Sequence, residues 1–137
     1  MKNPDAAKEL ASNAALEEKI RRSAENEELS CAESMRIAAK FGVSPWEVGQ
    51  RLDAMKIHIV RCQLGLFGYK PEKIIVKPAE RVSPDLEEEI RASLEGKYLP
   101  CVSAWAIAAG RKIPKMAVSS ACETLKIKIK PCQIGAF

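Results

Sequence analysis

KIHIVRCQLGLF at residues 56–67 returns as KIKIKPCQIGAF at residues 126–137, and the fold is read outward from that recurrence. A shift of 70 residues aligns Leu16–Phe67 with Leu86–Phe137 without a gap, and 20 of the 52 positions are identical. Average residue frequencies give roughly three by chance. The matches come in blocks: LEEKIRRSAE over LEEEIRASLE, the IAA at 37–39 over the IAA at 107–109, and the quoted ends. The chain is therefore expected to hold two whole copies of one small unit, with a first repeat over 1–67, a linker over 68–84 and a second repeat over 85–137. The linker, GYKPEKIIVKPAERVSP, carries two internal prolines and alternating charges, and its Ile74–Val76 has the composition of a short strand.

Each unit reads as three helices followed by an extended segment. Asn13 and Ser83 occupy matching N-cap positions, with Pro84 suited to a first helical turn. The first helix of each copy is expected to run to about Glu25 and about Glu95, the latter stopped by Gly96. Ser30 and Glu33 form a capping box that opens a second helix, closed by Gly42. Ser44-Pro45-Trp46-Glu47 is another capping box, opening a third helix with Val48, Leu52 and Met55 as its apolar stripe. Beyond it, Lys126-Ile127-Lys128-Ile129-Lys130 alternates strictly, so the isoleucines share one face of a strand and the lysines the other. Below about 70 residues a unit has a marginal core. The two units are therefore expected to share an interface, with Trp105, Met35 and Phe67 as anchors.

The second and third helices resemble the helix-turn-helix of bacterial transcription regulators. That pattern places alanine in the second helix, glycine four residues on and an apolar residue six beyond it, here Ala38, Gly42 and Val48. In the second copy Ala108 and Val118 match, but Lys112 stands in place of the glycine and Gly110 falls two residues early. With strands after the third helix, each unit is similar to a winged helix. The CQLGLFG segment is also similar to small helix-turn-helix domains of anaerobic bacteria linked to molybdenum-cofactor genes. The expected fold class is α+β, mostly helical: two tandem winged-helix-like repeats with pseudo-two-fold symmetry. The resemblance implies DNA binding in transcription regulation.

Charge distribution favours the second copy. Residues 110–130 hold six positive side chains (Arg111, Lys112, Lys115, Lys126, Lys128, Lys130) against Glu123, while residues 40–60 hold three against two. Lysines on a recognition helix and its following strand contact phosphates and release counterions. The candidate nucleic-acid-binding residues are those six with Ser119 and Ser120, the two serines and Lys115 facing the groove. In the first copy Trp46 and Glu47 open the third helix, and glutamate there repels phosphate. Trp46, Gln50 and Arg51 form the candidate surface for a protein partner, the rival reading to DNA.

Four of the five cysteines are placed by the duplication: Cys31 and Cys62 recur as Cys101 and Cys132. Four thiols, two per unit, suit zinc or an iron–sulfur cluster chemically. No close C-x-x-C pair organises them, so buried reduced thiols are the first expectation, with a metal or redox role behind it. Cys122, in place of Leu52, is expected in the core. His58 has no neighbouring nucleophile, and the acidic runs at Glu17 and Glu87 fall in first helical turns. No enzyme activity and no cofactor are expected. The polar start of the chain has no apolar signal core, and no run is long enough for a membrane span. A cytoplasmic location and no membrane partner are expected.

Overall fold

The computed structural model describes residues 4–136, with side chains from Ala14 onward. The architecture is α+β and mostly helical. In chain order the first unit contains α1 (Pro4–Ser23), β1 (Glu28–Ser30), α2 (Cys31–Phe41), α3 (Pro45–Ala54) and β2 (His58–Val60). The second contains α4 (Pro84–Ala92), β3 (Tyr98–Leu99), α5 (Cys101–Arg111), α6 (Lys115–Leu125) and β4 (Lys128–Ile129). Phe137, the counterpart of Phe67, lies outside the described residues.

Local chemistry explains most of the helix ends. The Ser30, Ser44 and Ser83 hydroxyls accept the N–H groups of Glu33, Glu47 and Leu86 at 3.1, 3.1 and 3.2 Å, each satisfying an otherwise orphan donor. Gly42 closes α2 in the left-handed conformation at φ 65°, where the absence of a Cβ removes the steric cost. In the second copy Lys112 adopts the same conformation at φ 56°. The turn thus survives the loss of its glycine, and Gly110 remains inside α5. Asn13 is not a helix cap: α1 continues back to Pro4 through a stretch rich in Ala, Leu, Glu and Lys, whose helix propensity outweighs one asparagine. The fourth helix stops at Ala92 instead of near Glu95, because Glu95 pairs with Tyr98 in a tight turn. Ile74–Val76 forms no strand; the N–H groups of Ile75 and Val76 both donate to the Gly65 carbonyl.

The strands pair within each unit, and in parallel. Glu28, Leu29 and Ser30 stand opposite His58, Ile59 and Val60; Tyr98 and Leu99 stand opposite Lys128 and Ile129. The alternation of burial at 126–130 is as read, with Ile127 and Ile129 buried and the three lysines exposed. The strand is shorter than expected, however: only Lys128–Ile129 pairs, and Lys126 closes α6 in the left-handed conformation at φ 58°.

The two hydrophobic cores do not follow the repeat boundary. One contains Ile90, Leu99, Ile107, Val118 and Cys122 of the second unit together with Cys62 and Leu64 of the first. The other contains Leu16, Ile20, Leu29, Ile37, Val48 and Leu52 of the first unit together with Cys132 and Ile134 of the second. Each unit thus sends the tail after its last strand into the core of the other. Ser119, fully buried on α6, donates its hydroxyl to the Leu64 carbonyl at 2.6 Å. Its counterpart Gly49 on α3 lies so close to the Ile134 carbonyl that a Cβ there would collide with it. Leu64 and Ile134, at 0% and 2% exposure, would leave two large apolar side chains in water if each unit kept its own tail outside. Burying such a side chain is worth about 1.5–3 kcal/mol. Trp105 packs against both cores, Met35 against the core built on the first unit and Phe67 against the core built on the second.

Candidate nucleic-acid interface

The eight candidate contact residues divide sharply once their surroundings are known. Ser119 does not face a groove, because it is buried with its hydroxyl committed to Leu64 and Met116 carbonyls. Ser120 is half-buried beneath the linker. Its carbonyl accepts the Ala79 N–H at 3.0 Å, and the Thr124 hydroxyl donates to the Ala79 carbonyl at 2.6 Å. The linker therefore runs along α6, the helix expected to read bases. The Arg111 guanidinium is also committed: Nε donates to Glu89 Oε2 at 3.0 Å and Nη2 to the Asp85 carbonyl at 2.9 Å. The Lys115 ammonium sits 4.5 Å from the centre of the Trp105 ring. Lys112 is an exposed helix cap.

Lys126, Lys128 and Lys130 come together differently. The parallel pairing of β3 with β4 sets Tyr98 beside Lys128, and Lys97, Tyr98, Lys126 and Lys128 line one shallow depression. The Lys130 and Lys97 ammonium groups stand 5.3 and 5.4 Å from the centre of the Tyr98 ring, within reach of a cation–π attraction. None of the four lysines makes an ion pair among the described residues. The face thus gathers four positive charges about one aromatic ring, with Glu123 as the carboxylate on the adjoining surface beside Lys128 and Lys130, an arrangement suited to a polyanion.

Lys97 and Tyr98 are absent from the residues chosen by sequence reasoning. Their copy-one counterparts are Glu27 and Glu28, and that replacement was a usable signal. What concealed it was the pairing: nothing local reveals that the strand before a helix lies beside the strand after the next two helices. The corresponding face of the first unit has Glu27, Glu28, Lys56, His58 and Val60. There Glu28 is 3.6 Å from the Lys70 ammonium, so the duplicated position is neutralised.

On α3 the three candidate partner residues also separate. Trp46 is 54% exposed, with an edge of its ring against Gly135. Gln50 is exposed. Arg51 lies 3.8 Å from Glu17 of α1 and is half-buried.

All five cysteines are free and buried. Burial pushes the thiols of Cys31 and Cys122 up to about 12 and about 11, the nearby Glu123 carboxylate adding to the latter. Cys62 and Cys101 are raised as well, again by burial. Among the described residues, no three His, Cys, Asp or Glu side chains stand close enough to hold a single metal ion. No described helix is long and apolar enough to cross a membrane. No family model, curated protein or solved structure matches this chain.

Proposed function

We propose that this protein binds nucleic acid, DNA in the first instance, through the lysine face of its second unit. The observation that carries the reading is the convergence of Lys97, Lys126, Lys128 and Lys130 around Tyr98, none of them ion-paired among the described residues. Like charges gathered on one face repel one another, and a phosphate backbone relieves that repulsion while releasing its counterions. The Tyr98 ring adds a surface on which a base or sugar can rest. With this goes the reading of the chain as two winged-helix-like repeats in pseudo-two-fold arrangement, supported by the recurrence of the same helix and strand order. In this reading the β3–β4 pair contacts the backbone as a wing does. The contact is not made by α6 entering a groove, since the linker occupies one side of that helix.

The test is fluorescence anisotropy of a labelled duplex of random sequence, titrated with the full chain at two salt concentrations. Four phosphate contacts give a slope of about −3.6 in log affinity against log salt. Raising salt from about 50 to about 200 mM then weakens binding roughly a hundredfold. Lys128→Ala and Lys130→Ala each lower the slope by about one and weaken all sequences alike. No binding at low salt up to about 100 μM, weaker than ordinary non-specific affinity, overturns the proposal.

A second reading, a protein-partner surface on α3, is favoured by one observation: the exposure of Trp46, a residue type that anchors interfaces. It predicts that Trp46→Ala abolishes capture of that partner and leaves duplex binding unchanged.

A further inference from the structure

The duplicated cysteines are brought together by the exchange of tails. Cys31 is the first residue of α2 and directly follows β1. The register of β1 with β2 ends at Ser30 opposite Val60, which delivers Cys31 beside the turn that begins at Cys62. In the second unit the Cys101 N–H donates to the Pro131 carbonyl at 3.1 Å, placing Cys101 beside Cys132 in the same manner. The exchange then joins the pairs. Cys62 lies in one core with Cys101, and Cys132 lies in the other with Cys31. Strand pairing thus sets Cys31 near Cys62 and Cys101 near Cys132, and the exchanged tails link the two pairs through the shared cores.

The hydrogen bonds around these sulfurs are unusual for buried neutral thiols. The N–H groups of Leu64 and Leu66 lie on the Cys62 sulfur side of the turn, while that of Gly65 is spent on the Cys62 carbonyl. The Gln63 N–H serves Cys31. Cys101 receives the Gln133 N–H and, at 3.6 Å, the Gln133 side-chain amide. A thiol is a weak acceptor that calls for no such set of donors. A thiolate bound to metal does, and donors to sulfur are among the means by which proteins stabilise such centres. The turns that supply these donors are themselves fixed: Gly65 and Gly135 donate their N–H groups to the Cys62 and Cys132 carbonyls at 2.9 and 3.1 Å. The Tyr69 hydroxyl donates to the Cys62 carbonyl at 2.6 Å. Cys31 and Cys101 also stand in the first turns of α2 and α5, where the positive end of the helix dipole favours negative sulfur.

We propose that Cys31, Cys62, Cys101 and Cys132 are the four thiolate ligands of an iron–sulfur cluster seated where the two exchanged tails meet. A single zinc ion is the poorer occupant. It needs all four sulfurs within about 2.3 Å of one point, and the described side chains offer no such convergence. A cluster of several irons and sulfides gives each thiolate its own iron and so accepts sulfurs that surround a site without collapsing on it. Each thiol releases its proton on coordination. Ferrous and ferric iron in equal parts with sulfide make the four-iron centre, and ferric iron with sulfide the two-iron centre, so no further oxidant or reductant enters the step. The cluster fastens both tails to both cores, because every core contributes ligands from each repeat.

The experiment is anaerobic reconstitution of the full chain with iron and sulfide, followed by removal of unbound ions. The expected result is a coloured protein with a sulfide-to-iron charge-transfer band and either about four irons and four sulfides per chain or about two and two. The cluster is also expected to raise the melting temperature above that of the apo chain. Serine at any of positions 31, 62, 101 or 132 (Cys31→Ser, Cys62→Ser, Cys101→Ser, Cys132→Ser) abolishes the band, whereas Cys122→Ser retains it. Circular dichroism on each variant separates loss of ligand from loss of fold. If a serine variant unfolds, alkylation of the wild type settles the same point, since cluster-bound thiols resist the reagent and Cys122 alone reacts on mild unfolding. Two results overturn the proposal: iron and sulfide failing to bind the folded chain, or one zinc bound per chain with no sulfide incorporated. None of these outcomes bears on the lysine face, whose test is duplex binding by the apo chain.

Discussion

Replacing Gly49 by alanine is expected to destabilise the protein, although helix propensity alone points the other way. Gly49 lies in the interior of α3 with ordinary helical geometry, where alanine is favoured by about 0.8–1 kcal/mol. The added Cβ, however, collides with the carbonyl of Ile134, a backbone atom of the exchanged tail, and meets the Ile134 Cγ2 at 3.0 Å. A backbone carbonyl cannot rotate aside as the end of a long side chain can, so the tail must withdraw from α3. Ile134 is 2% exposed and Cys132 7%. Losing the burial of the isoleucine alone costs about 1.5–3 kcal/mol. Set against the propensity gain, the net loss is about 1–2 kcal/mol, a fall in melting temperature of about 3–8 °C at this size. The matched control is Gly110→Ala in α5, where nothing lies within 4 Å of the new Cβ; that variant is expected to gain up to about 1 kcal/mol. Urea titrations of both variants, followed by circular dichroism, measure the difference. If Gly49→Ala gains stability in step with Gly110→Ala, the tail of the second unit does not rest on α3, and the reciprocal exchange is refuted.

Two further outcomes follow from backbone conformation and burial. Lys112 holds a left-handed conformation at φ 56° that Gly42 holds in the first copy at φ 65°. Left-handed backbone costs a side-chain-bearing residue about 1–2 kcal/mol. Lys112→Gly should therefore raise the urea midpoint and Gly42→Ala lower it, while equal effects of one sign would show that the two turns differ. The Cys122 thiol, pushed up to about 11 by burial and then by Glu123, makes stability depend on alkaline pH. Below about 9 the thiol is neutral in both folded and unfolded chains. Between about 9 and about 11 the unfolded chain loses this proton first, so stability is lost as pH rises through that window. Thermal melts at pH 8 and pH 10 should show a smaller loss for Cys122→Val than for wild type. An unchanged loss would mean that this thiol is not desolvated.

Much of the secondary structure was legible because its causes are local. Ser30, Ser44 and Ser83 cap helices as their positions foretold, since a hydroxyl three residues before an orphan N–H has little choice of partner. The alternation of lysine and isoleucine at 126–130 named the buried and exposed side chains correctly, although only Lys128–Ile129 is strand. Of the candidate contact residues, Lys126, Lys128 and Lys130 stand on one exposed face, while Ser119 and Arg111 are consumed by the fold. The helical spacing that placed Ser119 near Lys115 was sound. It was silent on which side of α6 the Leu64 tail would occupy.

The sequence by itself determined that there are two related units, which serines cap their helices, and which side chains of the last strand are apolar. It also gave burial as the first expectation for the duplicated cysteines. Only the tertiary structure decided which core receives each of them. Hydrophobic pattern records that a side chain must leave water, and the two cores, built from matching residues, satisfy that demand almost equally. The choice rests on contacts distant in sequence: the Ser119 hydroxyl on the Leu64 carbonyl, the missing side chain at Gly49 that admits Ile134, and Trp105 shared between both cores. The same long-range choice sets Lys97 and Tyr98 beside the lysines of β4 and puts cysteines of both repeats into each core.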